Sequence, residues 1–290
     1  MHARTIRLGV VSFLNARPLV EGLAADPRVA LRFDVPAQLP EMLRAGAVDA
    51  ALVPIIDVLR GGGRLAVVSD AGIACDGETM TVRVFSQVPP DRVRTLWVDR
   101  DSHTSVALAT VLWRELYNRR LELRSFDPRR DDFAALAERE AVLLIGDKVV
   151  DPRRGSFAYE VDLGGAWRQH TALPFVFAVW AVRAPAAPPT VAAPHASACS
   201  ATAPANNPTP LADLLSAARD RGVTRAAQIA RQEGPAHGWP AALAERYLVR
   251  CLKYTLDERA QAGIDEFARR CAALGLLDQP QEAAPVAALR

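Results

Sequence analysis

Lysine is nearly missing from this chain: of 35 basic residues only Lys148 and Lys253 are lysine, and the rest are arginine. An excess of Arg, Ala and Pro is what a coding sequence rich in G and C produces, so the arginines are not read as phosphate binding. Neither charge sign prevails. With 33 acidic residues the formal net charge is +2, which lacks the basic bias of a general nucleic-acid binder. No stretch approaches the roughly 18 consecutive apolar residues of a membrane span. The N-terminal apolar run extends only from Leu8 to Val11, without the longer core and small-residue cleavage site of a secretory signal, so a cytoplasmic chain is expected. The four cysteines (Cys75, Cys199, Cys251, Cys271) show no CxxC spacing. Neither zinc nor, in that compartment, disulfides are expected, and the thiols read as buried or incidental. The five histidines form no HExxH and no GxSxG elbow occurs, while Gly61–Gly63 lead into Arg64 and a strand rather than a phosphate-cradling helix. No metal and no cofactor are expected.

What remains is an ordinary globular balance, half hydrophobic and 23% charged over 290 residues, a length that suits two domains. Through residue 183 short β-rich runs alternate with helical ones. Strands are expected at 6–11, 30–35, 50–53, 65–68, 79–87, 94–98, 121–126, 141–145 and 175–182, which argues α/β architecture with mostly parallel sheets. A helix over 104–117 places Val106, Ala109, Leu112 and Leu116 on one face. Residues 184–210 carry seven prolines, ten alanines and no Asp, Glu, Lys or Arg, and read as an insert with little to bury. Beyond it the pattern is wholly helical. One helix is expected over 241–254 with Leu243, Tyr247, Cys251 and Tyr254 on a stripe. A capping box of Thr255 and Glu258 opens a last helix bearing Ile264, Phe267, Cys271 and Leu274. Residues 278–290 read as a tail.

Three polar turns follow strands. Ser12–Leu19 (SFLNARPL) combines a hydroxyl, an amide that both donates and accepts, and Pro18 at a helix start. Asp101–Ser105 (DSHTS) opens the best helix with hydroxyls, a setting that suits an anion as well as simple capping. Ile145-Gly146-Asp147 closes a strand with a glycine that permits close backbone approach. Each has an ordinary structural reading, Asn15 as a turn residue, Ser102 and Thr104 as caps, Asp147 as a cap. Ligands of open α/β sheets bind beyond the carboxyl ends of strands, so all three turns are expected to converge on one cleft between two lobes.

Those residues, IRLGVVSFLNARPL over 6–19 together with DAALVP over 49–54, VRVFS over 82–86, DRDSHTSVAL over 99–108, AVLLIGD over 141–147 and LPFVFAVW over 173–180, resemble the chorismate dehydratase family of the futalosine route to menaquinone. The resemblance covers nearly all of 5–277 outside 184–210. It implies a two-lobed α/β fold like that of type II periplasmic binding proteins, with a ligand cleft and a helical C-terminal segment. Lobe one is then expected over 1–84 plus 211–277, lobe two over 85–183, with crossover strands at 79–87 and 175–182. It implies loss of the C4 hydroxyl and C3 proton of chorismate to give 3-[(1-carboxyvinyl)oxy]benzoate, with no cofactor. Asn15 carries over as the catalytic residue, and Ser12, Arg17, Ser86, Thr104, Ser105, Ile145, Gly146 and Asp147 as substrate contacts. His103 stands where the family often has arginine. The matching motifs offer no obvious His or carboxylate base, so the substrate's enolpyruvyl carboxylate, held by Asn15, is expected to take the proton. The partner expected is chorismate alone, with no nucleic acid or membrane, in a monomer or homodimer. The rival readings are the sister 1,4-dihydroxy-6-naphthoate synthase, whose opening turn is expected to differ, and a small-anion-binding protein without turnover.

Overall fold

The structure, a computed structural model, describes residues 5–127, 131, 134–184 and 210–278. The Pro/Ala-rich insert apart from Ala184 and Pro210, Cys199, and the tail beyond Asp278 lie outside the described residues.

Two sheets organise the chain. The first holds β1 (Ile6–Val11), β2 (Val29–Asp34), β3 (Ala50–Pro54) and β4 (Leu65–Cys75). The second holds β5 (Val82–Ser86), β6 (Thr95–Asp99), β7 (Glu122–Phe126), β8 (Ala141–Ile145) and β9 (Tyr159–Asp162). The chain then returns to the first sheet as β10 (Phe175–Arg183) and β11 (Leu252–Thr255). The sheet orders are β11-β4-β10-β3-β1-β2 and β7-β6-β8-β5-β9. Central strands β3 (AALVP) and β8 (AVLLI) are buried at every position, as continuous apolar runs between two neighbours should be. Edge strand β2 keeps no fully buried residue.

The sheets are mixed rather than mostly parallel. Strands β1 with β2 and β3, and β6 with β7 and β8, pair parallel. Strand β5 is antiparallel to β8 and β9, and β10 is antiparallel to β3 and β4. These are the strands by which the chain enters each sheet from the other, so they run against the local direction. They also move the expected boundaries. Strand β5 lies wholly in the second sheet and β10 wholly in the first, so the crossings are at 76–81 and 172–174. The outbound crossing is pinned by the Asp162 carboxylate, which accepts from the amides of Thr79 (2.9 Å) and Met80 (2.7 Å) and caps the next helix through Gly165 (2.9 Å).

Eight α-helices among the described residues pack on these sheets: α1 (Leu39–Arg44), α2 (Ile55–Arg60), α3 (Thr104–Tyr117), α4 (Leu163–Thr171), α5 (Pro210–Thr224), α6 (Ala226–Glu233), α7 (Ala241–Arg246) and α8 (Glu258–Ala273). One apolar core runs through both lobes, and a smaller cluster around Phe85, Phe126 and Val142 fills the other face of the second sheet. Three expectations shift. Helix α3 buries Ala107, Leu108, Val111 and Trp113 beside Ala109 and Leu112, and leaves Leu116 exposed: its apolar stripe is wider than the expected one and rotated from it. Strand β4 continues to Cys75 because its polar Ser69 and Asp70 find partners on α5, in Ser216 and Arg219. The single helix expected over 241–254 is instead α7, a π-helical turn over Tyr247–Cys251 and strand β11, because hydrogen bonding to the free edge of β4 replaces helical bonding. Helix α8 is capped by Asp257, which accepts from Ala260 N at 2.8 Å, rather than by Thr255. Its Ile264, Phe267 and Cys271 are buried as expected.

Candidate functional site

A cavity of about 540 Å³, its mouth included, lies where the two sheets meet. The three turns reach it. From the turn after β1 come Phe13 and Asn15, from the loop and helix start after β6 come Ser102, His103, Thr104 and Ser105, and from the end of β8 come Ile145 and Gly146. Val11 and Pro54 add the carboxyl ends of β1 and β3, the usual ligand position of open α/β sheets. Thr79 and Thr81 on the outbound crossing, Phe177 and Ala178 on β10, and Tyr247 complete most of the wall.

The turn after β1 is a 3₁₀ segment, Leu14–Val20, with Pro18 inside it rather than an α-helix opened by Pro18. Its position is set by contact. Gly222 of α5 lies so near Pro18 that an added Cβ would stand 1.8 Å from the Pro18 carbonyl oxygen. Asn15 thereby faces the cavity with its Oδ1 buried and without a protein hydrogen-bond partner among the described residues. Buried acceptors are normally satisfied, so this one awaits a donor.

Opposite stands Tyr247. The π-helical turn inserts one residue into the helical repeat and carries its ring to the cavity wall, where the ring stacks on Trp239 at 4.8 Å with planes 2° apart. Its hydroxyl bonds Thr81 Oγ1 at 2.6 Å. Burial pushes the phenol well above its ordinary range, with Thr81 and Asn15 opposing.

His103 precedes α3. Its Nδ1 lies 2.8 Å and 3.1 Å from the two oxygens of Asp57, a fully buried carboxylate on α2. Thr104 Oγ1 donates to the Phe177 carbonyl at 3.2 Å and accepts from Ile56 N at 3.4 Å, which joins α3 to β10 and α2. The loop before His103 is held from below by Lys148, whose ammonium bonds Asp99 and, at 2.8 Å, Asp101. Burial raises the Asp99 carboxyl above its ordinary range and Lys148 opposes that shift.

Gly146 has φ +60°, and a Cβ there would lie 2.5 Å from the Phe13 ring. Only glycine lets the end of β8 pass under that ring, so the close-approach reading of this position has a concrete neighbour.

Asn15, Thr104, Ser105, Ile145 and Gly146 therefore share one cavity wall, and four other candidates lie off it. Ser12 directly follows β1, where its amide donates to the Asp34 carbonyl at 2.9 Å. Ser86 stands at the opposite end of β5 from the cavity residue Val82, its hydroxyl donating to the Val88 carbonyl at 2.7 Å. Arg17 pairs with Glu233 at 3.1 Å, contacts His237 Nε2 at 3.3 Å and lies over the Phe33 ring. Asp147 accepts from the Leu14 amide, from Trp239 Nε1 at 2.8 Å and from His237 Nδ1 at 2.8 Å. Since Arg17 can only donate, His237 accepts at Nε2 and carries its hydrogen at Nδ1. Asp147 is thus a clamp between the two lobes and the C-terminal helices. Asp57, Thr79, Thr81 and Tyr247 are site residues that sequence reasoning missed. Asp57 is 46 positions from His103, and no local pattern connects them.

The family described as menaquinone biosynthesis matches residues 6–273. The chain belongs to that family. It is 28% identical over 285 residues to a chorismate dehydratase of Thermus thermophilus, across 93% of this chain and 95% of that protein. In structure it is similar to a protein of Archaeoglobus fulgidus (TM-score 0.69, 14% identity, 95% of this chain and 100% of that one). It is also similar to the alkanesulfonate-binding protein of Xanthomonas axonopodis pv. citri bound to MOPS (TM-score 0.63, 13% identity, 95% and 94%). The fold of this menaquinone-biosynthesis protein is therefore the two-lobed, periplasmic-binding-protein-like α/β fold with a helical C-terminal segment. Among the described residues no helix is long and apolar enough to cross a membrane, and no group of three His, Cys, Asp or Glu is placed to hold a metal.

Proposed function

We propose that this protein is a chorismate dehydratase, a carbon–oxygen lyase of the futalosine route that converts chorismate to 3-[(1-carboxyvinyl)oxy]benzoate and water. The observation that carries the reading is the Asn15 Oδ1, a buried acceptor without a protein partner among the described residues, on the wall of the cavity between the two sheets. The hydroxyl of chorismate is a donor that would satisfy it, and the Asn15 amide would then hold the reacting carbons in register. The substrate's carboxylates need donors rather than lysines. The N-terminus of the 14-residue α3 offers them, with the hydroxyls of Ser102 and Ser105 on the same wall. Aromatisation of the ring supplies driving force, so positioning and charge placement are what the protein adds.

In this reading the cleft between the lobes is the active site of a cytoplasmic, cofactor-independent enzyme, a monomer or homodimer. Arg17 and Asp147 support the Asn15 turn rather than touching substrate, and Ser12 and Ser86 shape their strand ends. The test is to incubate purified protein with chorismate and follow the product, one water lighter, by mass spectrometry. Turnover is expected, and Asn15→Ala is expected to lower kcat by about 100-fold or more with an unchanged circular dichroism spectrum. Normal turnover by that variant would sink the catalytic role. Thermal stabilisation by chorismate without product would favour a binding protein.

A further inference from the structure

We propose that strand β11 is an interface on which a second copy of this chain pairs, antiparallel and about a twofold axis at Thr255. The proposal is independent of which substrate fills the cleft.

Strand β11 is the outer strand of the first sheet, and among the described strands only β4 pairs with it. A groove of about 1090 Å³, its mouth included, runs beside it. All four residues of β11 line this groove, together with Val223 and Val249, two large apolar side chains left 47% and 49% exposed. The irregularity in the β11–β4 pairing puts its extra residue on β4, where Ala74 to Ala71 face Lys253 to Thr255, so β11 itself alternates regularly. The Leu256 amide turns inward and donates to the Asp70 carbonyl at 2.7 Å. By that alternation the N–H and C=O groups of Lys253 and Thr255 face outward. An open row of such groups is a template for another strand.

The occupant follows from the residues Lys253-Tyr254-Thr255-Leu256-Asp257. Lys253, Thr255 and Asp257 are exposed, alternating with buried Tyr254 and half-buried Leu256. The backbone remains extended to Asp257, at φ −80° and ψ −178°. Laid antiparallel on its own copy with Thr255 on the axis, this segment is self-complementary. Lys253 stands opposite Asp257 of the partner subunit, the reciprocal pair repeats it, Thr255 meets its own copy, and Tyr254 faces Leu256 of the partner subunit. Opposite charges and threonine pairs facing each other across strands are favourable, and such an isologous contact closes as a dimer. Both charges are available for it. Neither Lys253 nor Asp257 forms an ion pair among the described residues, and Asp257 caps α8 through Oδ1. An outward lysine alone blunts a strand edge against pairing; here the same edge carries the acid that answers it. Leu252 lines both the groove and the cavity between the sheets, so the paired edge would brace that cavity wall from behind.

Sedimentation of the full chain over a range of concentrations tests the proposal. A particle of twice the 31.3 kDa chain mass is expected. Lys253→Glu, an exposed change that the fold tolerates, sets like charges opposite each other at both ends of the segment and is expected to weaken the dimer about tenfold or more. The register is read by cysteine substitution under mild oxidation, with the wild-type protein as control for its own thiols. Thr255→Cys is expected to give a covalent dimer, because facing residues of a hydrogen-bonded pair lie about 5.5 Å apart at Cα. Lys253→Cys is expected to give none, since its two copies would stand about 14 Å apart along the strands. A monomer at every concentration overturns the proposal. So does a dimer that Lys253→Glu leaves unchanged, or one in which Thr255→Cys does not cross-link, because the copies then meet elsewhere. A monomer that dimerises only after removal of residues 279–290 would assign the edge to that segment of its own chain, and overturns it as well.

Discussion

At the scale of single residues, two positions hold the cavity through what they cannot be. Gly146 combines a positive φ with a neighbouring ring 2.5 Å from any added Cβ. Gly146→Ala is expected to destabilise the protein by about 1–3 kcal/mol from backbone strain alone, and by more once Phe13 is displaced; urea denaturation measures it. Lys148 is the second. It is the shared partner of two buried carboxyl groups, Asp99 and Asp101, and Lys148→Met would leave both without it, at about 3–5 kcal/mol. The pH dependence has a definite sign. A carboxyl raised by burial adds stability below its unfolded pKa and loses it as pH rises through the folded value. The deficit of Lys148→Met is therefore expected to shrink from neutral pH toward about pH 4, visible in denaturant midpoints across that range. Asn15, Thr104, Ser105 and Gly146 could be picked out beforehand because each sits in a polar turn after a strand, where local sequence reports local geometry. Asp57 and Thr81 could not, since a single Asp or Thr in an apolar run says nothing about which distant residue it will meet.

At the scale of elements, β8, an unbroken apolar run, and β1, apolar but for Arg7, are readable to the residue. The start of β4 was readable and its end was not, because Ser69, Asp70 and Gly72 look like a turn until α5 supplies their partners. The break after α7 was hidden for the opposite reason: Leu243, Tyr247, Cys251 and Tyr254 keep a helical spacing, and only the unpaired edge of β4 makes a strand of the last of them. Caps give a graded test. Asp257 serves one exposed helix start, so Asp257→Ala is expected to cost about 1 kcal/mol. Asp162 receives three amides, two of them from the crossing between sheets, and Asp162→Ala is expected to cost more than about 2 kcal/mol. Equal losses in thermal melts would contradict the pinning role of Asp162. In the same way Gly222→Ala is expected to lower turnover as well as stability, because α5 then pushes Pro18 and the Asn15 turn away from the cavity.

At the scale of the whole molecule, the two sheets are joined by one continuous apolar core and by specific contacts, among them the Phe13 ring over Gly146, the Thr81–Tyr247 bond and the Asp147 clamp. Two lobes and a cleft were foreseeable from the order of strands and turns, while the placing of the crossings at 76–81 and 172–174 depended on pairing direction, which no single strand sequence encodes. One of these contacts makes the site visible from outside. Trp239 stacks flat on cavity-lining Tyr247 and gives its indole hydrogen to the Asp147 carboxylate. Any ligand that disturbs Tyr247 changes the surroundings of an indole, whose emission responds to its neighbours. Filling of the cavity should therefore be readable as a change in tryptophan fluorescence that disappears in Trp239→Phe, so the molecule carries its own optical gauge of occupancy.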